Sequence, residues 1–349
     1  MAKIKIVGIV GHFGTGKNLL NGQTIKTKII TEELSKQLTS NDILTLDTCA
    51  AKKNMIKIIF YAIKLSRKCK NIIIMPAKNG LRFFVPLFVF FKKIFSFKLH
   101  YAVIGGWLNE FLDEHKSIEK KLHIFDYIYV ETKKMKTDLE NKGLKNIVIM
   151  PNCKNLEPLA KEELIYTTEP PFALCTFSRV MFEKGIEDAV YAVQEANRNF
   201  SKTVFTLDIY GQIDKNYKER FDNLCKTFPD YINYKGLIPF NKSVDIIKNY
   251  FALLFPTYFL GEGFAGTLID AFSAGVPVIA SDVFSNREII TNGKNGYLYE
   301  YKNKNALCDK LIWIATHSDE WNKMKTECIN KAIEYLPETV VRILTEKLY

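Results

Sequence analysis

Cysteine, histidine and long apolar runs are too few or too poorly spaced for the functions they usually signal. The seven cysteines (Cys49, Cys69, Cys153, Cys175, Cys225, Cys308 and Cys328) are odd in number and contain no Cys-x-x-Cys pair. That argues against a disulfide framework or a structural zinc and for reduced cytosolic thiols. The five histidines lack the spacing of a helical metal pair. The opening residues, Met1-Ala2-Lys3-Ile4-Lys5-Ile6-Val7, run straight into a strand pattern, and no signal peptide is expected. The most apolar tract, residues 83–97, is interrupted by Lys92 and Lys93. Its uncharged run is far below the ~20 residues that span a bilayer. No short-period repeat or low-complexity tract is visible.

What is present is a chain of 349 residues, 47% hydrophobic, long enough for two domains. Its charge is lopsided. Residues 1–150 carry 26 Lys and Arg against 12 Asp and Glu, a net +14, and residues 151–349 carry 23 against 26. The basic excess and the aromatic-basic tract at 82–98 fit a face that meets an anionic membrane. They equally fit a solvated surface over a phenylalanine core. No nucleic-acid module is recognisable, and basic balance alone is weak evidence for one.

Strand-like apolar runs at 3–10, 43–46, 71–75, 99–104, 123–130 and 146–150 alternate with helical spacing, clearest at 23–38 and 52–68. The pattern restarts after Pro170-Pro171, with runs at 172–177, 203–210, 231–235, 251–255 and 276–280. Continuous apolar strands separated by helices imply parallel sheets covered on both faces. The polar, proline-containing stretch 151–170 reads as the linker. The expected domains are 1–165 and 166–337, and such sheets place ligands at the carboxyl ends of their strands.

Five segments fall at such strand ends. Gly11-His12-Phe13-Gly14-Thr15-Gly16-Lys17-Asn18 nearly matches a nucleotide P-loop, but Asn18 lacks the hydroxyl that would hold magnesium. An ATP-binding loop and a ligand-free strand–helix turn are both compatible with it. Ser178-Arg179-Val180-Met181-Phe182-Glu183-Lys184-Gly185 brings a planar fork and a point charge suited to phosphate oxygens. At Tyr210-Gly211 a side chain would block a nucleotide, and Ile238 follows the next strand. Glu262-Gly263-Phe264-Ala265-Gly266-Thr267-Leu268-Ile269-Asp270 sets an acid on a glycine-rich turn and a second acid inside the following helix. The unpaired amides and partial positive charge of a helix start bind anions. Carboxylates beside it accept hydrogen bonds from sugar or ribose hydroxyls. The alternative is a strand–turn–helix unit whose acids only cap and solvate. Glu288, after Asn286 and Arg287, reads as a loop-ordering or capping residue.

The 262–270 segment resembles the donor signature of retaining glycosyltransferases of family 4 (glycosyl transferases group 1), with Asp270 standing where the family has a longer Glu. That resemblance, strongest over 172–300, implies an α/β GT-B fold: two Rossmann-like, doubly wound parallel-sheet domains facing across a cleft, with a last helix at 338–349 returning to the first. It implies a retaining hexosyltransferase that moves a hexose or N-acetylhexosamine from a nucleotide sugar, UDP-linked, to a glycan or lipid-linked saccharide. The style of the sequence resembles bacterial surface-polysaccharide enzymes, acting in the cytoplasm at the inner face of the membrane. The implied catalytic set is Glu262, Arg179 and Lys184. Gly14, Gly16, Gly22, Gln23, Gly211, Ile238, Gly263, Phe264, Ala265, Gly266, Thr267 and Asp270 would bind the donor, and Gly105, Gly106 and Trp107 the acceptor. No cofactor or metal is implied, since cations and a helix end would neutralise the leaving diphosphate. His100, placed at the start of its strand, is not assigned a catalytic role. A sugar-nucleotide epimerase, a phosphorylase and a non-catalytic sugar-nucleotide-binding subunit are the alternatives on this fold.

Overall fold

The computed structural model describes residues 5–16, 22–38, 42–49, 54–259 and 261–349. Lys17 and Asn18 of the P-loop-like segment lie outside them. The described residues form two compact units. The first comprises Met1–Asn155, Gly261–Phe264 and Tyr335–Tyr349, and the second Leu156–Leu260 and Ala265–Glu334.

The first unit runs β1 (Lys5–Gly11), α1 (Gly22–Gln37), β2 (Ile43–Asp47), α2 (Met55–Lys68), β3 (Cys69–Ile74), α3 (Lys78–Lys92), β4 (Lys98–Ala102), α4 (Leu108–Glu114), α5 (Lys116–Leu122), β5 (Tyr127–Val130), α6 (Lys133–Asn141) and β6 (Ile147–Ile149). Its strands are parallel in the order β2-β1-β3-β4-β5-β6. Side chains alternate across a strand, so each strand feeds two cores. Val10, Ile72 and Ile74 join the core under α2 and α3. Val7, Ile9 and Ile73 join the core under α1. Valine and isoleucine on both faces are what a sheet covered on both sides requires.

The second unit runs β7 (Phe172–Phe177), α7 (Ile186–Asn199), β8 (Phe205–Tyr210), α8 (Lys218–Cys225), β9 (Ile232–Gly236), α9 (Ser243–Ile247), β10 (Ala252–Phe255), α10 (Gly266–Ser273), β11 (Val278–Ser281), α11 (Phe284–Arg287), β12 (Gly296–Tyr299), α12 (Lys304–Thr316) and α13 (Ser318–Ile333). Its sheet is parallel in the order β12-β11-β10-β7-β8-β9. The chain winds to one side of β7 and then restarts on the other at β10. The switch point of this sheet therefore lies between the carboxyl ends of β7 and β10, where doubly wound folds hold ligands. The last helix, α14 (Pro337–Thr345), packs Val340, Val341 and Leu344 into the first unit's core.

The structure bears on several of these expectations. The tract at 82–98 belongs mainly to α3, which buries Phe84, Val85, Phe88, Val89 and Phe91, so most of its phenylalanines are core. The strand expected at 123–130 starts only at Tyr127, and a strand absent from the sequence pattern, β12, begins at Gly296 of the second of two Asn-Gly pairs, Asn292-Gly293 and Asn295-Gly296. The change of unit falls at Asn155, earlier than 165. Leu159 and Leu164 pack on Ile329, and the Leu159 N–H donates to the Ser273 carbonyl at 2.7 Å.

His100 sits in the middle of β4 rather than at its start, fully buried. Its ring nitrogens lie 3.1 Å from the Tyr129 hydroxyl and 3.1 Å from Asn71 Oδ1, and Asn71 Nδ2 donates to the Leu348 carbonyl. Burial holds its pKa down at about 4. The unfolded chain takes up this proton below about pH 6.5, whereas the folded chain does so only near pH 4. Stability is therefore full above pH 6.5 and falls by up to about 3 kcal/mol on going down to pH 4. Urea unfolding at pH 7 and pH 4.5 checks this, and His100→Asn should flatten the difference.

Candidate functional site

The residues after β7 and those opening α10 come together within the second unit. The Thr267 side-chain hydroxyl donates to the carbonyl of Phe177, the last residue of β7. That single contact joins positions 90 residues apart. It sets the first turn of α10 beside the loop that begins at Ser178. Ala265 provides the N-cap with no side-chain cap, so the first amides of α10 have no partner of that kind and carry the positive end of the helix.

Arg179 and Lys184 leave the same strand end. Arg179 is exposed, its guanidinium 3.9 Å from Asp214, a distance at which it retains reach for an anion. Lys184 closes a short 3-10 turn, Phe182–Lys184. Its ammonium stands 5.3 Å from the ring centre of Phe255, which ends β10, and 5.4 Å from that of Phe259. Cation–π attraction helps hold it over the switch point. The aromatic seat of Lys184 was not read from the sequence; an apolar strand end followed by another Phe is too common a pattern.

Asp270 is 1% exposed and accepts a hydrogen bond from Ser243 Oγ at 2.8 Å. The carboxylate ties α9 to α10. Ile238 is half-buried just beyond β9. Gly211 has φ +138, and a Cβ there would lie 1.8 Å from the Ser178 carbonyl oxygen. The glycine is needed for the close approach of its backbone to the β7 loop.

Glu262, Gly263 and Phe264 belong to the first unit, whereas Ala265 onwards belongs to the second. Within the first unit this short segment is fastened closely. The Phe264 N–H donates to Glu131 Oε2 at 3.0 Å, and Asn152 Nδ2 donates to the Phe264 carbonyl at 3.2 Å. The other Glu131 oxygen pairs with Lys26 of α1, both side chains only 4% exposed. The Phe264 ring meets Tyr335 edge-on at 4.7 Å. A Cβ on Gly106 would lie 2.8 Å from the Glu262 carbonyl, and one on Gly263 would lie 2.4 Å from Glu131 Oε2. The space freed by Gly106 is thus filled by the Glu262–Gly263 backbone. Trp107 is half-buried; its indole N–H donates to the Ile104 carbonyl at 2.8 Å and its ring meets Phe111 edge-on.

The glycine-rich loop after β1 carries its own anion. Asp47, at the end of β2, accepts the N–H of Phe13 at 3.0 Å, of Thr15 at 2.8 Å and of Cys49 at 2.8 Å. Burial opposes ionisation, but these bonds together hold its carboxyl below the ordinary carboxylate range. Amides that a P-loop would aim at phosphate are occupied by a carboxylate at Phe13 and Thr15, beside Gly14 and Gly16. That removes the support for an ATP-binding loop. Gln23, one residue into α1, donates to the Met75 carbonyl at 3.2 Å, and Gly22 opens that helix.

Two parallel, doubly wound sheets, with cations and a helix start gathered at the switch point of the second, define a glycosyltransferase of GT-B fold. The glycosyl transferases group 1 family matches residues 161–335, half of the chain, and the chain belongs to that family. The GtfA subunit of UDP-N-acetylglucosamine–peptide N-acetylglucosaminyltransferase from Streptococcus gordonii is 29% identical over 234 residues, 64% of this chain and 44% of that one. The match therefore spans less than half of that relative's length. Anabaena HepE in complex with UDP has a TM-score of 0.75 at 13% identity, covering 99% of this chain and 99% of that one. The GtfA/B complex has a TM-score of 0.64 at 25% identity, covering 84% of this chain and 59% of that one.

Proposed function

We propose that this glycosyltransferase uses a UDP-linked hexose or N-acetylhexosamine and retains the configuration of the anomeric carbon, as the resemblance to family 4 implies. The observation that carries the reading is the Thr267–Phe177 bond, which sets the start of α10 beside the Arg179–Lys184 loop. Leaving-group departure places new negative charge on the diphosphate. Arg179, Lys184 and the amides of Gly266 and Thr267 are assigned to receive it, the kind of fixed electrostatic stabilisation that usually supplies the largest share of catalysis. These groups take the place of a divalent cation, and transfer is expected to survive chelation. Glu262 is assigned to the sugar hydroxyls. Burial favours a supporting role for Asp270, holding α10 through Ser243. Ile238 is kept for the base and Trp107 for the acceptor.

A front-face route fits this set: the leaving phosphate oxygen takes the proton of the attacking hydroxyl as the glycosidic bond to the donor breaks. The UDP assignment draws support from the name of the streptococcal relative and from the HepE complex with UDP. The acceptor we assign is a glycan or lipid-linked saccharide of the cell surface, met at the cytoplasmic face of the membrane by the basic first unit. A second reading, in which the chain works as a subunit with a protein partner and a peptide acceptor, is favoured by the same relative's name and by the GtfA/B complex.

UDP release from UDP-N-acetylglucosamine and UDP-glucose, measured with saccharide and peptide acceptors and with EDTA present, tests the reading. An acceptor-dependent release giving an α-linked product by NMR is expected. Interconversion of free UDP-sugars without acceptor would replace it with an epimerase. UDP binding without turnover, relieved only by a partner chain, would favour the subunit.

A further inference from the structure

We propose that the outward ridge of α2 seats the chain on an anionic lipid surface. The inference rests on the peripheral placement put forward above, and it moves the contact from the tract at 82–98 to a different helix. On its inner side α2 buries Ile58, Ala62 and Leu65 in the core beneath it. A helix packed in this way normally turns polar side chains outward. Here the outer side carries Met55, Ile56, Phe60 and Tyr61, with Ile56 73% and Phe60 68% exposed. Ile56 and Phe60 stand four residues apart and so share one ridge. Lys57, Lys64 and Arg67 are exposed on the same helix, and the Lys64 ammonium lies 5.5 Å from the centre of the Tyr61 ring. The neighbouring helix, α3, ends beside a second exposed apolar pair, Phe90 and Ile94, flanked by exposed Lys93.

The sign of the charge decides the occupant. Between Asp47 and Glu110 the sequence contains twelve Lys or Arg and no Asp or Glu. This stretch contains the whole of α2 and α3. A protein partner presents both signs, and its interface is served by complementary charges of both kinds. A bilayer rich in anionic headgroups presents one sign only, and it also accepts inserted apolar side chains among its acyl chains. An exposed Ile and Phe ringed by cations match those two properties together. No helix among the described residues is long and apolar enough to cross a membrane, and the ridge needs only to lie on one.

Cosedimentation of the full chain with vesicles of phosphatidylglycerol and phosphatidylcholine, and of phosphatidylcholine alone, tests the proposal. Binding to the anionic vesicles, weakened by high salt, is expected. Ile56→Ser with Phe60→Ser should lower the partition coefficient by on the order of a hundredfold. Lys57→Glu with Lys64→Glu should lower it and reduce its salt dependence. Both side-chain pairs are exposed, so thermal unfolding and UDP binding should stay as in the parent chain and show that the variants fold. Failure of the parent chain to bind either vesicle would overturn the peripheral placement itself. Binding by the parent that both variants retain would overturn only the assignment to α2. Equal binding to neutral vesicles, or a concentration-dependent dimer that the Ile56/Phe60 variant loses, would also overturn it, the latter in favour of a second copy of the chain.

Discussion

Lys184→Ala should lower the rate constant for transfer by about 10²- to 10³-fold, with a smaller change in the KM for donor. The ammonium is held over Phe255 and Phe259 at the end of the short turn that follows β7. Its assigned partner is the leaving diphosphate, whose charge grows as the sugar–phosphate bond breaks. An interaction that strengthens during the reaction lowers the barrier, whereas one that is constant lowers only KM. Stability should change little, because exposed or half-exposed cation–π contacts contribute about 0.5–1 kcal/mol. Lys184→Arg should restore part of the activity: the charge returns, but on a planar fork instead of a compact ammonium. Single-turnover kinetics with far-ultraviolet circular dichroism on the same samples separates the two effects. Unchanged transfer in Lys184→Ala would remove the residue from the mechanism.

Glu131→Ala should destabilise the first unit by about 3–5 kcal/mol, because Lys26 would remain as a buried charge without its counter-ion. The Phe264 amide would lose its acceptor as well, a further cost of about 1–3 kcal/mol if no water replaces it. Two further variants distinguish folding from function. Lys26→Met combined with Glu131→Leu removes both charges and should recover most of the stability, since well-packed apolar pairs often equal a buried ion pair. It leaves the Phe264 N–H unheld, so transfer should stay depressed while the unfolding midpoint returns. Glu131→Gln keeps an acceptor for that amide and should retain more transfer than the double variant despite lower stability. That opposite ordering of stability and activity is the signature of a residue that positions the Glu262 segment. Denaturant unfolding and transfer rates on the three variants measure it.

The parallel strands were legible because both faces of each sheet are covered, so each strand reads as an unbroken apolar run. The helix α3 was harder to see. Its Phe- and Leu-rich sequence with Pro86 inside resembles an interfacial tract as much as a core helix, and only packing beneath it reveals which side is buried. β12 was missed because four residues beginning at the Gly of an Asn-Gly pair give too short a pattern. At the site, the cations Arg179 and Lys184 and the glycine turn before α10 could be found from their places at strand ends. Their supports could not. Asp47 fills the amide nest of a loop more than thirty residues earlier, as its bond lengths to Phe13 and Thr15 show. Lys26 meets Glu131 across 105 positions of sequence. Neither pairing leaves a local periodicity, and a buried carboxylate looks like any surface acid until its partner is known. Gly106 and Gly211 each allow two backbones to approach, which only the neighbouring segment reveals.

The central claim is that a nucleoside diphosphate lands on the loop after β7 and the first turn of α10. Amide hydrogen exchange of the full chain with and without UDP tests it most directly. UDP should slow exchange over residues 178–185 and 265–270 together. No protection in either segment, with Mg-ATP instead protecting residues 11–16 and the start of α1, would contradict it.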